Sequence, residues 1–349
     1  MREVPHEVLG RYASLSGRAS RPFGTGLIND TFVVEGRDGD AVVQRLHPVF
    51  SPAVHHDIDA VTARLSLRGL VSPVIVRADD GSLWVEHARD DGSPGVWRAM
   101  TFVRDSHTWD KVPSAAVARE AGALVGRFHA ALDGLDWTYQ GRKGRAHDTA
   151  RHLDTLERAL TEHREHRLFS EVSRIAGELL PRARPLHDFN ALPARHTHGD
   201  LKISNLLFDA RERGLCLVDL DTVGRMSWPH EMGDALRSWC NPAGEDVDDV
   251  QLDAGLFAAS VEGYAETARH LVTREERALL VDGLATICME LSARFLADAL
   301  NERYFGWNAA RYDSRGAHNL IRAKGQWALA RSVLQRADEL RALTDRVMG

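Results

Sequence analysis

The stretch from residue 196 to residue 222 constrains the fold more than any other part of the chain. Two short apolar runs, Leu206–Phe208 and Leu215–Val218, are separated by the polar residues 209–214, a pattern typical of a β-hairpin. Polar residues flank this hairpin, namely Asp200, Lys202 and Asn205 before it and Asp219 after it. One rigid element would therefore fix the spacing of four reactive or ligating side chains.

The residue types at these positions suit phosphoryl transfer. The Asp200 carboxylate can accept the proton of an attacking hydroxyl, and Lys202 can neutralise charge on the transferring phosphoryl group. Asn205 and Asp219 offer the oxygen ligands that Mg²⁺ takes when it also binds nucleotide phosphates. Each Asp or Asn alone is more often a turn former or a helix cap. The combination favours a kinase of a small molecule.

The same stretch resembles the catalytic loop of the aminoglycoside phosphotransferase and choline kinase superfamily, which has the protein-kinase fold. Five further segments are similar, in the same order, to bacterial N-acetylhexosamine 1-kinases of that superfamily: Gly24–Phe32, Gln44 with its neighbours, Arg119–Gly126, Gly233–Arg237 and Met289–Asp298. The resemblance extends over nearly the whole chain. It implies an α+β, two-lobed protein-kinase-like fold, with a small antiparallel-sheet N-terminal lobe and a larger, mainly helical C-terminal lobe. ATP and Mg²⁺ are the implied cofactors.

The hydrophobic pattern changes near residue 103. Before it, short strand-like runs alternate with Gly- and Asp-rich turns, and one helix is predicted over 57–67. After it, apolar residues recur at helical spacing, which predicts helices over 114–132, 152–163, 168–179, 251–268, 274–300 and 318–348. We therefore expect a nucleotide-binding lobe over residues 1–103 and a catalytic and substrate-binding lobe over residues 104–349.

The N-terminal segment offers candidate nucleotide-binding residues. Glycines between strands more often form a turn, but in a kinase-like lobe Gly24 and Gly26 would cover the nucleotide. Just beyond them, Thr31 is assigned to the nucleotide, and Asn29 and Asp30 are assigned to the acceptor.

Two further nucleotide contacts follow from the resemblance alone. It makes residues 98–103 the crossing between the lobes, where Met100 and Phe102 would contact the adenine.

The expected phosphate-binding lysine is absent from the N-terminal segment. The corresponding strand reads Val43, Gln44, Arg45, and the helix offers Asp59 where an acidic partner would lie. Gln44 could donate one neutral hydrogen bond, whereas Arg45 should point to the opposite face of the strand. We assign Gln44 to the nucleotide.

The acceptor is expected to be a sugar or an amino sugar. Glu290, Arg294 and Asp298 recur every four residues and share one helix face, as either a sugar-binding stripe or an ion-pair ladder. The resemblance adds Arg237 to the substrate residues. An acidic stretch, residues 245–249, with Glu262 favours an alternative acceptor, an aminoglycoside, another amino sugar or an amino alcohol. A nucleotide-binding pseudokinase is a second alternative.

Composition limits the possible partners. The net charge of −6 gives no general attraction to nucleic acid or to anionic membranes, and no apolar stretch has the length of a membrane span. No signal peptide is visible, so a cytoplasmic location is expected. No obligate protein partner is indicated. The leading hypothesis is transfer of the ATP γ-phosphate to the anomeric hydroxyl of an N-acetylhexosamine.

Overall fold

The computed structural model describes residues 3–24, 29–89, 92–141, 147–187 and 189–349. They group into two compact units. Unit 1 comprises Met1–Ser106, Gly134–Gly144 and Val218–Val223, and unit 2 comprises His107–Asp133, Arg145–Leu217 and Gly224–Gly349. The roles predicted for residues 1–103 and 104–349 stay predictions. No helix among the described residues is both long enough and apolar enough to cross a membrane.

Unit 1 is built on an antiparallel sheet. Its strands are β1 (Ser20–Pro22), β2 (Asp30–Val34), β3 (Ala41–Arg45), β4 (Ile75–Val76), β5 (Val85–Glu86) and β6 (Val96–Thr101), and its helices are α1 (His6–Leu9) and α2 (Val54–Leu67). The strand order is β1-β2-β3-β6-β4, and β5 also pairs with β6. Alternate apolar residues of β2 and β3, such as Phe32, Val34 and Val43, lie in a core with Trp97 of β6.

Helix α2 contributes its apolar face to the interior of unit 1. Val54, Ile58, Val61 and Leu65 are buried and recur at helical spacing. The helix predicted over 57–67 is therefore present and begins three residues earlier. Strand β6 was assigned only as part of the crossing between lobes, and its inclusion in the sheet is a finding of the structure.

Unit 2 is mainly helical. Its helices are α3 (Ala115–Leu132), α4 (Thr149–Glu162), α5 (Phe169–Ala183), α6 (Trp228–Trp239), α7 (Ala254–Ala268), α8 (Arg274–Ala278), α9 (Leu280–Asn301), α10 (Arg315–Gln335) and α11 (Ala337–Met348). Its strands are β7 (Ala194–Thr197), β8 (Leu206–Phe208), β9 (Gly214–Leu217) and β10 (Gly224–Ser227). β7 pairs with β10 and β8 pairs with β9, both antiparallel. The predicted hairpin is confirmed, with its second strand one residue earlier.

Two predicted long helices are each divided in the structure. The helix predicted over 274–300 is α8 and α9, separated at Leu279, and the helix predicted over 318–348 is α10 and α11, separated at Arg336. Leu280, directly after the first break, is buried, and Val333 and Leu340 are buried on either side of the second break. At the second break the hydrophobic period therefore continues from one helix into the next and conceals the break. Helix α6 was not predicted.

Helices α3 and α7 approach each other closely at glycines. A Cβ atom on Gly122 of α3 would lie 2.0 Å from the Ser260 carbonyl oxygen, and one on Gly263 of α7 would lie 1.8 Å from the Arg119 carbonyl oxygen. Any side chain at either position would force the helices apart. The segment Arg119–Gly126 is thus fixed by packing against α7.

Candidate active site

The backbone of residues 198–205, here called loop 198–205, is held by carboxylates of α6. The Glu231 carboxylate accepts hydrogen bonds from the backbone N–H groups of His198 (2.7 Å) and Gly199 (3.0 Å). The Asp234 carboxylate accepts one from the Leu201 N–H (2.7 Å). Hydrogen bonds to charged acceptors are roughly twice as strong as neutral ones. Two buried carboxylates therefore fix the backbone on both sides of Asp200.

Two more residues of α6 extend this support. The Ser238 hydroxyl accepts a hydrogen bond from the Ile203 N–H (3.1 Å), and the Trp239 indole N–H donates to the Leu201 carbonyl oxygen (2.8 Å). Residues three and four apart on a helix share a face, so α6 presents its polar side chains to loop 198–205 as one stripe. The Asp200 N–H also donates to His198 Nδ1 (3.3 Å). His198 and Asp234 thus both contact the backbone of the loop.

Glu231 stays ionised although it is fully buried. Burial raises its pKa, but the neighbouring His129, the charge of His198 and the backbone N–H of His198 outweigh burial, so the pKa lies below its ordinary value. His129 Nε2 lies 3.5 Å from the Glu231 carboxylate. The carboxylate thus remains a charged acceptor for the two backbone N–H groups.

Asp200, Lys202 and Asn205 lie together in loop 198–205. Lys202 Nζ is 3.2 Å from Asp200 Oδ2, and the Asn205 amide nitrogen donates to Asp200 Oδ2 (3.1 Å) and to the Asp200 carbonyl oxygen (2.9 Å). The Asp200 side chain remains 28% exposed. Both bonds of Asn205 use its nitrogen, and a side-chain amide coordinates a cation through its oxygen. The loop therefore combines an accessible carboxylate, an ammonium group and an amide oxygen.

Asp219 occupies a strained backbone position in unit 1. Its φ of 63° and ψ of 54° lie in the left-handed region, and a 3₁₀ turn, Leu220–Thr222, follows it. For a residue other than glycine this region costs about 1–3 kcal/mol and persists only where neighbours enforce it. The chain leaves β9 at Leu217 and turns, so Asp219 and Asp221 do not continue that strand.

Asp221 forms a buried ion pair with Arg98 of β6. Arg98 Nη2 donates to Asp221 Oδ2 (3.0 Å) and Nη1 donates to Oδ1, while both side chains are 1% exposed. Asn29 Nδ2 adds a third hydrogen bond to Asp221 (2.7 Å). Burial raises the pKa of Asp221, but Arg98 and Asn29 lower it below its ordinary value. The turn after Asp219 is thus anchored to the sheet of unit 1.

Gln44 and Thr31 are adjacent to this ion pair. Strand register places Gln44 opposite both Thr31 and Arg98. Gln44 Oε1 accepts from Arg98 Nε (3.0 Å) and Nη2 (2.8 Å), and Gln44 Nε2 donates to the Thr31 hydroxyl (3.1 Å). The two residues assigned to the nucleotide are therefore joined in one hydrogen-bonded row. Arg45 instead pairs with Asp30.

Asn29 and Asp30, which were predicted to bind the acceptor, form hydrogen bonds within unit 1. Asp30 accepts from Arg45 Nε (2.8 Å), and Asn29 Oδ1 accepts from the His47 N–H (2.9 Å). These contacts do not favour the acceptor role assigned to Asn29 and Asp30, which stays a prediction.

The predicted nucleotide-covering and adenine-contacting residues differ in their placement. Gly24 adopts a φ of +77°, and Gly26 lies outside the described residues. Met100 is buried in β6, and the Phe102 N–H donates to the Asp40 carbonyl oxygen (3.1 Å). That N–H is therefore not available to an adenine.

The three residues predicted as an acceptor stripe have different surroundings on α9. Asp298 accepts from the backbone N–H groups of Tyr304 and Phe305 (2.8 Å each) and from the Asn319 side chain (2.9 Å). Arg294 lies over the Phe305 ring (5.4 Å) and keeps 21% of its side chain exposed. The Asp298 carboxylate therefore binds the backbone of the loop that follows α9. Of Arg294 and Asp298, Arg294 has the more exposed side chain.

Glu290 is fully buried in a polar cluster of unit 2. Its carboxylate accepts hydrogen bonds from His147 Nδ1 (2.9 Å) and Thr149 Oγ1 (2.7 Å), and His152 Nε2 lies 3.8 Å away. Burial raises its pKa, but His147, His152 and Arg294 outweigh burial and lower the pKa to about 2. Glu290 therefore binds polar side chains in the interior of unit 2.

Arg237 is also buried, and acidic side chains engage its guanidinium. Arg237 Nη2 lies 2.9 Å from Asp234 Oδ1, and Nη1 donates to Glu245. Burial lowers the pKa of Arg237, but the charges of Asp234, Glu245 and Asp200 raise it above its ordinary value. This placement links Arg237 to the α6 support of loop 198–205 and does not favour direct contact with a substrate.

The residues of these networks that sequence reasoning missed include Glu231, Arg98 and His147. Glu231 could have been found, because it precedes Asp234 by three residues and so shares a helix face with it. Arg98 could not, because its partner Asp221 is 123 residues away. His147 likewise meets Glu290 across 143 residues.

Comparison with protein families decides the class of the chain. Residues 20–270 match the family described as phosphotransferase enzyme family (APH), which is more than half of the sequence. The chain belongs to this APH phosphotransferase family. It is a small-molecule kinase, and the prediction of an ATP-dependent phosphotransferase acting on an alcohol group is confirmed.

Solved structures with a similar fold include three kinases or kinase-family proteins. The amicoumacin kinase hAmiN in complex with AMP-PNP, Ca²⁺ and Ami is 12% identical with a TM-score of 0.61, over 88% of this chain and 87% of that one. A microcompartment-associated aminopropanol kinase is 16% identical with a TM-score of 0.61, over 97% and 98%. A choline/ethanolamine kinase family protein from Mesorhizobium loti is 18% identical with a TM-score of 0.56, over 97% and 95%.

These similarities confirm the predicted fold class, an antiparallel-sheet N-terminal region followed by a mainly helical remainder in a kinase-like fold. The predicted superfamily is confirmed as well. The closer relation to N-acetylhexosamine 1-kinases, the sugar acceptor, Mg²⁺ and the cytoplasmic location stay predictions.

Proposed function

We propose that the chain transfers the γ-phosphoryl group of ATP to the anomeric hydroxyl of an N-acetylhexosamine, with Asp200 as the general base. The observation that carries this proposal is loop 198–205 itself. Its backbone is fixed by Glu231 and Asp234, while the Asp200 carboxylate stays partly exposed beside Lys202. A base held rigidly and still accessible meets the geometric requirement of general base catalysis.

The proposed step moves one proton and one phosphoryl group. The acceptor oxygen forms a bond to the γ-phosphorus while the bond from that phosphorus to the β–γ bridging oxygen breaks, which releases ADP. The hydroxyl proton passes to the Asp200 carboxylate. Lys202, 3.2 Å from Asp200, can lower the energy of the negative charge on the transferring group. General base catalysis of this kind contributes about 10²- to 10⁴-fold.

Asn205 and Asp219 fit a role in holding Mg²⁺ with the nucleotide. They offer an amide oxygen and a carboxylate, which are hard oxygen donors, and a cation bound by few protein ligands takes its other ligands from phosphates and water. Asp219 is held in a strained backbone conformation, as is frequent at functional sites. When bound, Mg²⁺ would neutralise phosphate charge.

Three of the acidic residues that favoured a cationic acceptor are already paired with basic residues of this chain. Their pairing supports a neutral acceptor. Glu245 is paired with Arg237, and Asp246 accepts from His318 (2.8 Å) and Arg322 (2.9 Å). Glu262 is paired with Arg119. Carboxylates already paired with arginine gain little from an additional ammonium group. Of the acidic residues cited for a cationic acceptor, Asp248 and Asp249 remain exposed.

A panel of acceptors tests the proposal. N-acetylhexosamines, other sugars, aminoglycosides and amino alcohols would each be incubated with ATP and Mg²⁺, and ADP release would be measured. We expect the highest kcat/KM for an N-acetylhexosamine, and phosphorus NMR should identify an acid-labile sugar 1-phosphate. A phosphate on an aminoglycoside ring or on a primary alcohol would replace the proposed acceptor. Nucleotide binding without transfer to any acceptor would favour the pseudokinase alternative.

A further inference from the structure

Unit 1 lacks the expected phosphate-binding lysine, but it contains a buried arginine, Arg98. β3 offers Gln44, and the strand register sets Arg98 of β6 directly opposite it. The Arg98 guanidinium donates to Gln44 on one side and to both carboxylate oxygens of Asp221 on the other. A planar guanidinium that makes a bidentate contact with a carboxylate fixes the orientation of that carboxylate. Arg98 thus ties the sheet to the turn containing Asp221.

The acidic residues of α2 do not compete for this arginine. Asp59, where the sequence suggested the acidic partner of a lysine, pairs with Arg77 at 2.7 Å, and both side chains are substantially exposed. Asp57 is buried and accepts hydrogen bonds from the Trp137 indole and the Gly141 N–H. Among the described residues, Asp221 is therefore the acidic partner of the buried arginine of this sheet.

Asp221 is close enough along the chain to restrain the backbone conformation of Asp219. One residue separates the two, and the 3₁₀ turn Leu220–Thr222 begins directly after Asp219. The left-handed backbone of Asp219 needs external restraint, because it is unfavourable for a residue other than glycine. Asp221 supplies restraint through its contacts to Arg98 and Asn29.

We propose that Arg98 is a positioning residue that fixes the conformation of Asp219 through the buried Arg98–Asp221 ion pair. The pair takes the place of the lysine and acidic helix residue that order the phosphate site of protein kinases. Arg98 itself contacts Gln44 and Asp221 and acts through Asp221. This inference rests on the proposed function, specifically on the role of Asp219 toward Mg²⁺ and nucleotide.

The test separates positioning from simple stabilisation. The double variant Arg98→Met with Asp221→Leu replaces a buried ion pair by apolar side chains, a change that often leaves stability unaltered. Arg98→Lys keeps the charge and loses the planar fork. The matched control, Arg77→Met with Asp59→Leu, makes the same changes in the exposed pair of unit 1. Asp219→Asn reports on the proposed function independently.

Each variant would be characterised by thermal unfolding, by calorimetry of ADP binding with and without Mg²⁺, and by kcat with the preferred acceptor. In the double variant we expect ADP affinity without Mg²⁺ to stay within about 3-fold, the Mg²⁺ enhancement of ADP binding to fall at least about 5-fold, and kcat to fall at least about 10-fold. Arg98→Lys should give a smaller loss of the same kind. The exposed-pair control should match the wild-type chain.

The outcomes distinguish two failures. Retention of the Mg²⁺ enhancement by Asp219→Asn would refute the metal role in the proposed function. Loss of the enhancement in Asp219→Asn, with full enhancement and kcat in a folded Arg98 variant, would refute only the positioning role. If the double variant does not fold, Arg98→Lys decides the question by the same measurements. If neither folds, the pair is structural and the inference is wrong.

Discussion

Loop 198–205 in unit 2 and the turn 219–222 in unit 1 are held in place by different kinds of contact. In the loop, side chains of α6 bind the backbone, as Glu231 does with the N–H groups of His198 and Gly199. In the turn, a side chain of the segment itself, Asp221, binds the side chains of Arg98 and Asn29. The contacts from α6 to the loop do not involve the Asp200 side chain, whereas the turn's support depends on one carboxylate.

This difference predicts how each region tolerates substitution. A backbone N–H is present whichever residue occupies the position, so the α6 support of loop 198–205 survives a change of Asp200. The support of turn 219–222 is lost when either partner of one ion pair is removed, because the remaining charge is then buried without compensation. Asp221→Ala should therefore lower stability, since it leaves the buried Arg98 without its carboxylate partner.

The largest effect is expected for Asp219→Asn. Asparagine also tolerates the left-handed backbone, so the substitution removes the charge without adding strain. We expect kcat to fall by at least about 10³-fold and the Mg²⁺ enhancement of ADP binding to be lost, because one of two protein ligands is weakened. Calorimetry of ADP with and without Mg²⁺, together with turnover, measures both. The exposed Asp248→Asn provides the control, and equal Mg²⁺ enhancement in the two variants would contradict the assignment.

Asp200→Asn should separate chemistry from binding. The α6 contacts to the backbone remain, so the loop should keep its position while the base is lost. We expect kcat to fall by at least about 10²-fold and ADP affinity to stay within a few-fold of wild type. Steady-state kinetics and nucleotide calorimetry test this pair of outcomes. Near-normal turnover would remove Asp200 from the role of base.

Glu231→Gln removes support from loop 198–205 without touching Asp200. The amide keeps the shape of the carboxylate but weakens two charge-assisted hydrogen bonds, to His198 and Gly199. We expect the free energy of unfolding to fall by about 2–3 kcal/mol, on the scale of hydrogen bonds to charged groups, and kcat to fall about 10-fold or more. Urea unfolding and turnover would be compared with Glu266→Gln on the exposed part of α7. Loss of stability with full kcat would mean that the support does not orient the base.

The side chains of loop 198–205 could be related to one another from the sequence, whereas the contacts of turn 219–222 could not, and the reason is physical. Asp200, Asn205 and the hairpin that follows them lie in one short segment of the chain, so their spacing and the strand periodicity relate their side chains. Arg98 and Asp221 meet only through the packing of the sheet, which periodicity does not encode. Arg98 was interpreted as part of a crossing between lobes, and its inclusion in β6 was not predicted.

The acceptor stripe shows the same limit in unit 2. The four-residue spacing correctly placed Glu290, Arg294 and Asp298 along one helix, α9. It could not indicate that His147 and Thr149 would engage Glu290, or that the loop after α9 would bring its backbone N–H groups to Asp298. Spacing gives the direction of a side chain, whereas its partner depends on which element packs there.

Arg294→Ala should produce a smaller effect than the changes at Asp200 or Asp219. Arg294 retains partial exposure, and a guanidinium can clamp sugar hydroxyls by paired hydrogen bonds. If it contacts the acceptor, kcat/KM for the sugar should fall about 10-fold, or about 1.4 kcal/mol, with ATP affinity little changed. Arg331→Ala on α10 is a control. An unaltered kcat/KM would leave Arg294 with its packing against Phe305 and no role in acceptor binding.

The smallest effect is expected in the pH dependence of stability, where His55 represents unit 1 and His152 represents unit 2. Burial is the largest cause that lowers each pKa to about 4, with Arg98 contributing for His55 and Arg294 for His152. The unfolded chain keeps the ordinary pKa of 6.5, so between about pH 4 and pH 6.5 it binds more protons than the folded chain. Stability should therefore decrease as the pH falls through this range.

His55→Gln and His152→Gln should each flatten that decrease, by at most about 1.4 kcal/mol per pH unit, which is the contribution of one proton. Glu290→Gln should instead act at lower pH. With its folded pKa of about 2 below the ordinary 4.5, Glu290 stabilises the folded chain above about pH 4.5, and this contribution is lost toward pH 2. Urea unfolding at half-unit pH intervals would resolve the two ranges. An unchanged slope between pH 4 and pH 6.5 in both histidine variants would show that neither histidine is held neutral by its surroundings.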